Sequence, residues 1–436
     1  MTSTAHSQPG AESPTRFQSL PFYYGWINVL VASIAMTATL PGRTHGLGLI
    51  TEPLLADLSL TTTGFARINF VCTILGAAFC IPVGWLIDRY GVRVILTLVT
   101  LALGVSVLGM SHVGGTAELV LWLILVRGFG QSALSLVSFS VISKWFRRRL
   151  GIAMAMFAVL LTFGFIGSVL SMGVLIEKLQ WRGAWNALGW TILGLVPLFY
   201  LFTRSTPESC GLAGDVERDD GGDVEGNPPE PIDDHAMDEP QVTVSLALKS
   251  PAFWVLVLGS SIFNLVWSGV TLFNESILSA RGIDAAGAAQ MMAILAGVGL
   301  LANVVSGSLA NRDRMLKLMG SGLLVLAIGL FAFPWIDSLN GARFYAVAIG
   351  TSGGIVTVVF FSAWRHIFGS QYLGRIQGTA QLATVLASAT GPVLIAEAEA
   401  TLGSYDPVFM TLAVCCLLLA GVAWLVKPSV GPNRGR

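Results

Sequence analysis

Apolar residues run in blocks of about twenty or more along most of this chain, separated by short polar or charged intervals. The blocks predict helices over 22–52, 63–87, 94–112, 117–145, 150–176, 184–203, 251–279, 287–310, 315–334, 342–365, 374–400 and 407–427. Each is long enough to cross a bilayer, which takes about 20 mostly apolar residues. One interval, 204–250, carries no such block. It holds twelve acidic residues from Glu208 to Glu239, with Gly221-Gly222 and Pro228-Pro229 among them. Such a segment cannot bury a core and reads as a solvated linker. The pattern therefore predicts an all-α polytopic membrane protein with twelve transmembrane helices in two six-helix bundles. The expected order is a disordered cytoplasmic tail (1–20), an N-terminal bundle (21–203), an acidic cytoplasmic linker (204–248), a C-terminal bundle (249–428) and a second tail (429–436).

Composition supports this class. Of 436 residues, 54% are hydrophobic and 11% charged, against roughly 25% charged in soluble domains. The formal net charge of zero says little, but its distribution sets the topology. With both termini inside, eighteen of the 25 Lys and Arg fall on the cytoplasmic side, five outside (Arg67, Lys178, Arg182, Arg281, Arg343) and two within spans (Arg43, Arg127). The positive-inside bias selects that orientation, in a plasma or inner cell membrane. Residues 1–20 lack an apolar core and read as a tail, not a secretory leader. The five cysteines include no Cys-x-x-Cys pair, so neither a disulfide framework nor a metal site is expected.

The chain repeats itself. Gly84-x-Leu-x-Asp88-Arg89 returns 223 residues later as Gly307-x-Leu-x-Asn311-Arg312. Pro21-Phe22-Tyr23 and Pro251-Ala252-Phe253-Trp254 open the two halves, and Trp145 and Trp364 follow the fourth and tenth helices. Gly84 permits close helix approach, and Asp88 can sit at a helix N-terminus where the dipole favours an anion. The full stretch Gly84-x-Leu-x-Asp88-Arg89-x-Gly91-x-Arg93 resembles the signature loop between the second and third helices of the major facilitator superfamily. Tyr23-Tyr24-Gly25-Trp26, Gly130-Gln131, Trp145-Phe146-Arg147-Arg148-Arg149 and Pro207-Glu208-x-x-Gly211-Leu212 resemble its monocarboxylate and oxalate/formate branch. The resemblance implies two bundles rocking around a midplane site. Gly84, Asp88, Arg89, Gly91 and Arg93 are then gating residues, with Asn311 and Arg312 as their counterparts. Asp88, Arg89 and Arg93 should latch the cytoplasmic side, with Asp88 near the start of the eleventh helix at Tyr372–Arg375. The uncharged Asn311 should latch more weakly.

Charges inside spans cost on the order of 2.5–3.5 kcal/mol, so each needs a reason. Arg43 lies in Leu40-Pro41-Gly42-Arg43-Thr44-His45-Gly46, where Pro41 and Gly42 loosen the helix. Arg43 offers a fork for a carboxylate, and His45 titrates near neutral pH. The plainer reading ends the span near Pro41 and leaves Arg43 among headgroups. Arg127 resembles the superfamily's fourth-helix arginine, with Gln131 standing where a glycine is usual. Its plainer role is bonding carbonyls of neighbouring helices. Asn264, mid-helix Trp267 and Asn303 complete the candidate substrate-binding set, each with packing as the alternative. Glu275 is a gate partner or a solvated helix end. The other tryptophans near span ends (Trp26, Trp122, Trp181, Trp185, Trp190, Trp335, Trp424) read as interfacial anchors. Gly164 and Gly167 read as packing positions. The eighth-helix run has no charged residue, although many members of that branch place a binding cation there.

No phosphate-binding Gly-x-x-x-x-Gly-Lys-Ser/Thr loop, catalytic triad pattern or His-Glu-x-x-His occurs in the sequence. An enzyme, an ATP-driven pump and a nucleic-acid binder are therefore not expected, nor is a cofactor. The expected activity is secondary transport of a small organic anion of monocarboxylate type, with a proton or a counter-substrate, by a monomer among membrane lipids. Two alternatives stand beside it: efflux of neutral or amphipathic compounds, and a transporter-like ligand sensor.

Overall fold

In lipid every backbone N–H and C=O must bond within its own segment, so long apolar runs become helices. The computed structural model describes residues 23–147, 149–210, 212 and 242–427, and all their regular elements are helical. Ten helices are long and apolar enough to span a membrane, with 150–202 counted as one. That helix is broken at Gln180, whose φ is 61° and ψ 169°. It therefore supplies two spans, and the shorter, broken first helix completes twelve.

In chain order, α1 is assembled from Gly25–Thr37, Leu40–Gly42, Thr44–Gly48 and Thr51–Asp57. Helix α2 joins Thr62–Ala77 to Cys80–Tyr90, α3 is Val92–Ser111 and α4 is Thr116–Trp145. The pieces 150–179 and 181–202 are α5 and α6. Helix α7 is Pro251–Leu272, continued by Asn274–Ser279, and α8 is Ala285–Leu309. Then follow α9 (Met315–Ala332), α10 (Leu339–Phe368), α11 (Leu373–Leu402) and α12 (Asp406–Leu425). Two differences from expectation have local causes. The single helix predicted over 22–52 is interrupted because Pro41 lacks an N–H, and Arg43 is extended (φ −101°, ψ 157°). The loop predicted between 176 and 184 is absent, because one residue, Gln180, makes the whole bend. Most of the predicted linker, 213–241, lies outside the described residues, as do 1–22 and 428–436.

The two halves meet through repeated glycine crossings. A Cβ on Gly84 of α2 would collide with the Gly374 carbonyl of α11, and one on Gly307 of α8 would lie 2.6 Å from the Gly151 carbonyl of α5. Gly84 and Gly307 are repeat-related, and each meets the second residue of its partner helix. Around these crossings one end of the bundle is closed. Phe139 of α4 lies 4.0 Å, ring to ring, from Phe361 of α10, and Phe157 of α5 is 5.8 Å from both. The Arg365 guanidinium donates to the Ser143 carbonyl across the same junction.

At the opposite end each half carries its own staple. Asp57, closing α1, accepts from Trp181 Nε1 (3.0 Å) and Arg182 Nε (2.9 Å) at the start of α6. Arg182 also donates to the carbonyls of Ser111, which ends α3, and of Val113 just beyond it. In the second half the charges are exchanged: Arg281, after α7, pairs with Asp406 at the start of α12 and donates to the Pro334 carbonyl beyond α9 (2.9 Å). Trp181 and Trp185 are thus corrections. They are 4% and 0% exposed, packed inside their bundle and not anchored in a headgroup belt, whereas Trp190 and Trp335 are exposed.

Candidate functional site

The break in α1 and an irregular turn in α4 are built on each other. Residues Arg127–Leu134 form a π-helix inside α4, a distortion that frequently accompanies functional sites. Gly42 packs directly on it: a Cβ there would lie 2.6 Å from the Val126 carbonyl and 2.8 Å from the Gln131 nitrogen. The Arg127 guanidinium, 2% exposed, donates to the Gly42 carbonyl at 3.0 Å, to Asn69 Oδ1 at 2.7 Å and to Gln131 Oε1 at 2.9 Å. Gln131 thus holds the arginine, which a glycine there could not do.

One residue beyond Gly42, Arg43 turns inward from the extended break. Its Nε donates to Thr39 Oγ1 (2.8 Å), and its terminal nitrogen donates to Ser135 Oγ (3.1 Å) beside the Met36 sulfur. The guanidinium lies 5.4 Å from the Phe165 ring centroid. Among the described residues, both arginines bond neutral partners only.

Arg43 lines a cavity of about 330 Å³ whose facing wall comes from α7 and α11, including Asn264, Trp267, Gln381 and Thr384. A second cavity of about 260 Å³ adjoins it, sharing Thr44, Gln131, Leu272, Ser388 and Pro392, and is lined by Arg127 and Asn69. Among the described residues, no Asp or Glu lines either cavity. Both lie away from the closed end and reach the exposed residues Thr44 and Leu272.

Of the predicted binding residues, Arg43, Asn264 and Trp267 share one cavity, and Arg127 lines its neighbour. The His45 backbone lies in the helical turn Thr44–Gly48, but its side chain is outside the described set, as is that of Glu275. Asn303 lines neither cavity: it is 4% exposed and packs on Gly354 of α10, where a Cβ would meet its backbone nitrogen at 2.6 Å. Gly164 packs against Thr37, whereas Gly167 faces open space.

Asp88 reaches the start of α11, the approach expected from the sequence. Its two oxygens accept the Gly374 and Arg375 backbone N–H groups at 2.9 and 3.0 Å. Arg89 and Arg93 differ from expectation, since the contacts they make stay in the first half. Arg89 stacks over Trp85 and Tyr90, while Arg93 stacks over Tyr200 and donates to its carbonyl (2.9 Å). Nearby aromatic rings at the ends of α2 and α6 hold both guanidiniums before they can cross. Gly91 turns α2 into α3 at φ +80°, a conformation that favours glycine. Asn311 is exposed and accepts the Arg314 backbone N–H within its own loop (3.1 Å), next to exposed Arg312.

The profile of the Major Facilitator Superfamily matches residues 22–392. The chain belongs to that superfamily. It is a multi-pass membrane transporter, and the family is not one of enzymes. It is 22% identical over 407 residues to the Cupriavidus necator protein named Probable sulfoacetate transporter SauU, covering 88% of this chain and 89% of the relative. It is also 22% identical to human Monocarboxylate transporter 11, covering 94% and 84%. Among solved structures, the proton:xylose symporter XylE bound to 6-bromo-6-deoxy-D-glucose superposes with a TM-score of 0.66 at 17% identity, covering 92% of this chain and 95% of that one. At that identity the likeness concerns the fold alone.

The sequence reading missed Asn69, Gln381, Thr384 and the Phe139–Phe361 closure. Gln377 and Gln381 stand four apart in the eleventh-helix run, and polar side chains in spans face the bundle interior. That spacing was the available signal.

Proposed function

We propose that this transporter carries a small organic anion through alternating access, with Arg43 as the residue that meets the anionic group. The observation that supports this most is charge balance. Two arginines stand at adjoining cavities, bonded to neutral acceptors and, among the described residues, to no carboxylate. A cation removed from water is costly unless it is paired, and a substrate anion supplies the missing partner. Arg127 acts behind Arg43: it keeps the α1 break in place and adds positive potential. The organic acids named for the Cupriavidus necator and human relatives agree with this reading.

The end closed by Asp88, Phe139 and Phe361 is the cytoplasmic one, because the excess of Lys and Arg flanks it. The arrangement described is then outward-facing, and the Asp88 contact with α11 latches it. Coupling is to a proton or to a counter-substrate. Proteoliposome uptake of radiolabelled organic acids tests the proposal, with and without an inward proton gradient or internal acid. Uptake lost in Arg43→Gln is the expected result. Equal uptake by that variant, or uptake of no acid by folded protein, contradicts it.

A further inference from the structure

Arg89 and Arg93 belong to the signature loop, yet neither reaches the second half. Both are held at the corner where the α2–α3 turn meets the end of α6. Arg93 Nε donates to the Tyr200 carbonyl (2.9 Å), and its guanidinium carbon lies 4.3 Å from the Tyr200 ring centroid. The Arg89 guanidinium lies 5.0 Å from the Trp85 ring and 5.5 Å from that of Tyr90. The end of α6 is itself tied down. Tyr24 Oη donates to the Phe202 carbonyl and Trp145 Nε1 to that of Arg204, both at 2.7 Å. A Cβ on Gly91 would lie 2.9 Å from Ser205 Oγ, so the turn packs closely on this end. The rings cover one face of each guanidinium and leave most N–H groups unused. Among the described residues, no protein acceptor meets the two terminal nitrogens of Arg93 or any side-chain nitrogen of Arg89. Asp88, the one acid between Asp57 and Glu118, gives its oxygens to α11. No acid falls between Lys178 and Pro207 either. Both positive charges at this corner therefore lack a carboxylate partner.

The surface beside these charges is apolar and exposed. Val94 and Leu98 on α3 and Tyr200, Leu201 and Phe202 on α6 all stand outward. Trp85 and Tyr90 are exposed as well, and such rings favour the boundary between headgroups and acyl chains. The second half lacks the arrangement. Ser308 and Asp313 occupy the positions repeat-related to Trp85 and Tyr90, and Leu316 that of Arg93. There Arg312 stands beside an acid instead. We infer that the α2–α3–α6 corner binds the headgroup phosphate of an anionic phospholipid, in the leaflet at the closed end. The terminal nitrogens of Arg93 offer a fork to phosphate oxygens. Arg89 supplies the second positive charge, and the acyl chains lie along the exposed faces of α3 and α6. A zwitterionic lipid carries the same phosphate but brings its own cation, which the arginines repel. Free phosphate has the charge but leaves the apolar surface uncovered. This site goes beyond the transport reading and is independent of which substrate is carried.

The test is competition binding to the purified full-length protein in neutral detergent, with a fluorescent phosphatidylglycerol as the probe. Unlabelled phosphatidylglycerol should compete about tenfold more tightly than phosphatidylcholine, and inorganic phosphate at the same concentration should not compete. One Lys or Arg facing an anionic headgroup contributes about fivefold in affinity. Arg89→Gln and Arg93→Gln should therefore each weaken phosphatidylglycerol binding about fivefold, and the double variant about 25-fold. Arg93→Lys keeps the charge without the fork and should fall between wild type and Arg93→Gln. Arg312→Gln, in the other half, should stay within about twofold of wild type. So should Asp88→Asn, because the site lies wholly in the first half. Where a variant does not fold, the wild-type preference between the two lipids decides. Equal binding of the two lipids, competition by phosphate as strong as by the lipid, unchanged affinity in the double variant, or an equal loss in Arg312→Gln overturns the site. Organic-acid transport is not read in this assay, so each of these outcomes leaves the anion reading standing.

Discussion

Replacing Asp88 by Asn should release the closed end of this transporter. The carboxylate is 5% exposed between the two halves, and each oxygen accepts one N–H at the start of α11. In Asp88→Asn one oxygen can still accept, but the other position becomes an NH2 facing an N–H donor. One charge-assisted hydrogen bond is lost, about 1.5–3 kcal/mol. The favourable interaction of a carboxylate with the helix dipole goes with it, about 0.3–1 kcal/mol. The Arg375 guanidinium, 3.8 Å away and 36% exposed, adds little. A total near 2–3 kcal/mol shifts the equilibrium between closed and open forms of this end by about 30- to 150-fold. Ser143 reports the change, being 1% exposed at the junction. In a cysteine-free background, Ser143→Cys should react with a membrane-impermeant maleimide about 30-fold faster or more once Asp88→Asn is added. A rate within about twofold of the parent, in protein that still elutes as a single folded species, would refute the latch.

Other consequences follow from the same contacts. Asn311→Asp places a carboxylate in the repeat-related position, opposite the start of α5. It should stabilise the closed end by about 1 kcal/mol and slow Ser143→Cys alkylation several-fold in the same assay. Gly42→Ala pushes a methyl against the Val126 carbonyl and should cost about 1–3 kcal/mol, seen as a lower midpoint in thermal unfolding of the purified protein. The Asp57–Arg182 pair is about 40% exposed on both sides (44% and 38%), so Asp57→Asn should change stability by no more than about 1 kcal/mol. Because the second half carries the same staple with reversed charges, the exchange Asp57→Arg with Arg182→Asp should recover stability lost in either single variant, read as coupling in a double-mutant cycle.

Much of the architecture was legible because the bilayer imposes one solution on each apolar run. The glycine and aspartate spacing at 84–93 also foretold a specific contact, since small residues and a helix N-terminus leave few other uses for an acid there. The α1 break was partly legible: Pro41 and Gly42 announced a weak helix, but not that Arg127 would take the freed Gly42 carbonyl. No periodicity encodes a π-helix, so the register that sets Arg127 and Gln131 against α1 was not visible. Arg89 and Arg93 appeared equivalent to Asp88 in the motif, whereas their side chains stop on Trp85, Tyr90 and Tyr200. Asn303 was picked for polarity alone. Only the packing of α8 on α10 distinguishes it from Asn264. Which carbonyls the Ser268, Thr271 and Thr384 hydroxyls reach depends on the folded geometry, and composition does not carry that information.

The most direct measurement is equilibrium binding of a radiolabelled organic acid to purified wild type, Arg43→Lys and Arg43→Gln. Truncating one partner of a buried charge pair costs about 2–5 kcal/mol, so Arg43→Gln should weaken binding at least about thirtyfold. Arg43→Lys, which keeps the charge but not the fork, should fall between the two. Affinity unchanged in Arg43→Gln would contradict the account and remove Arg43 from the substrate.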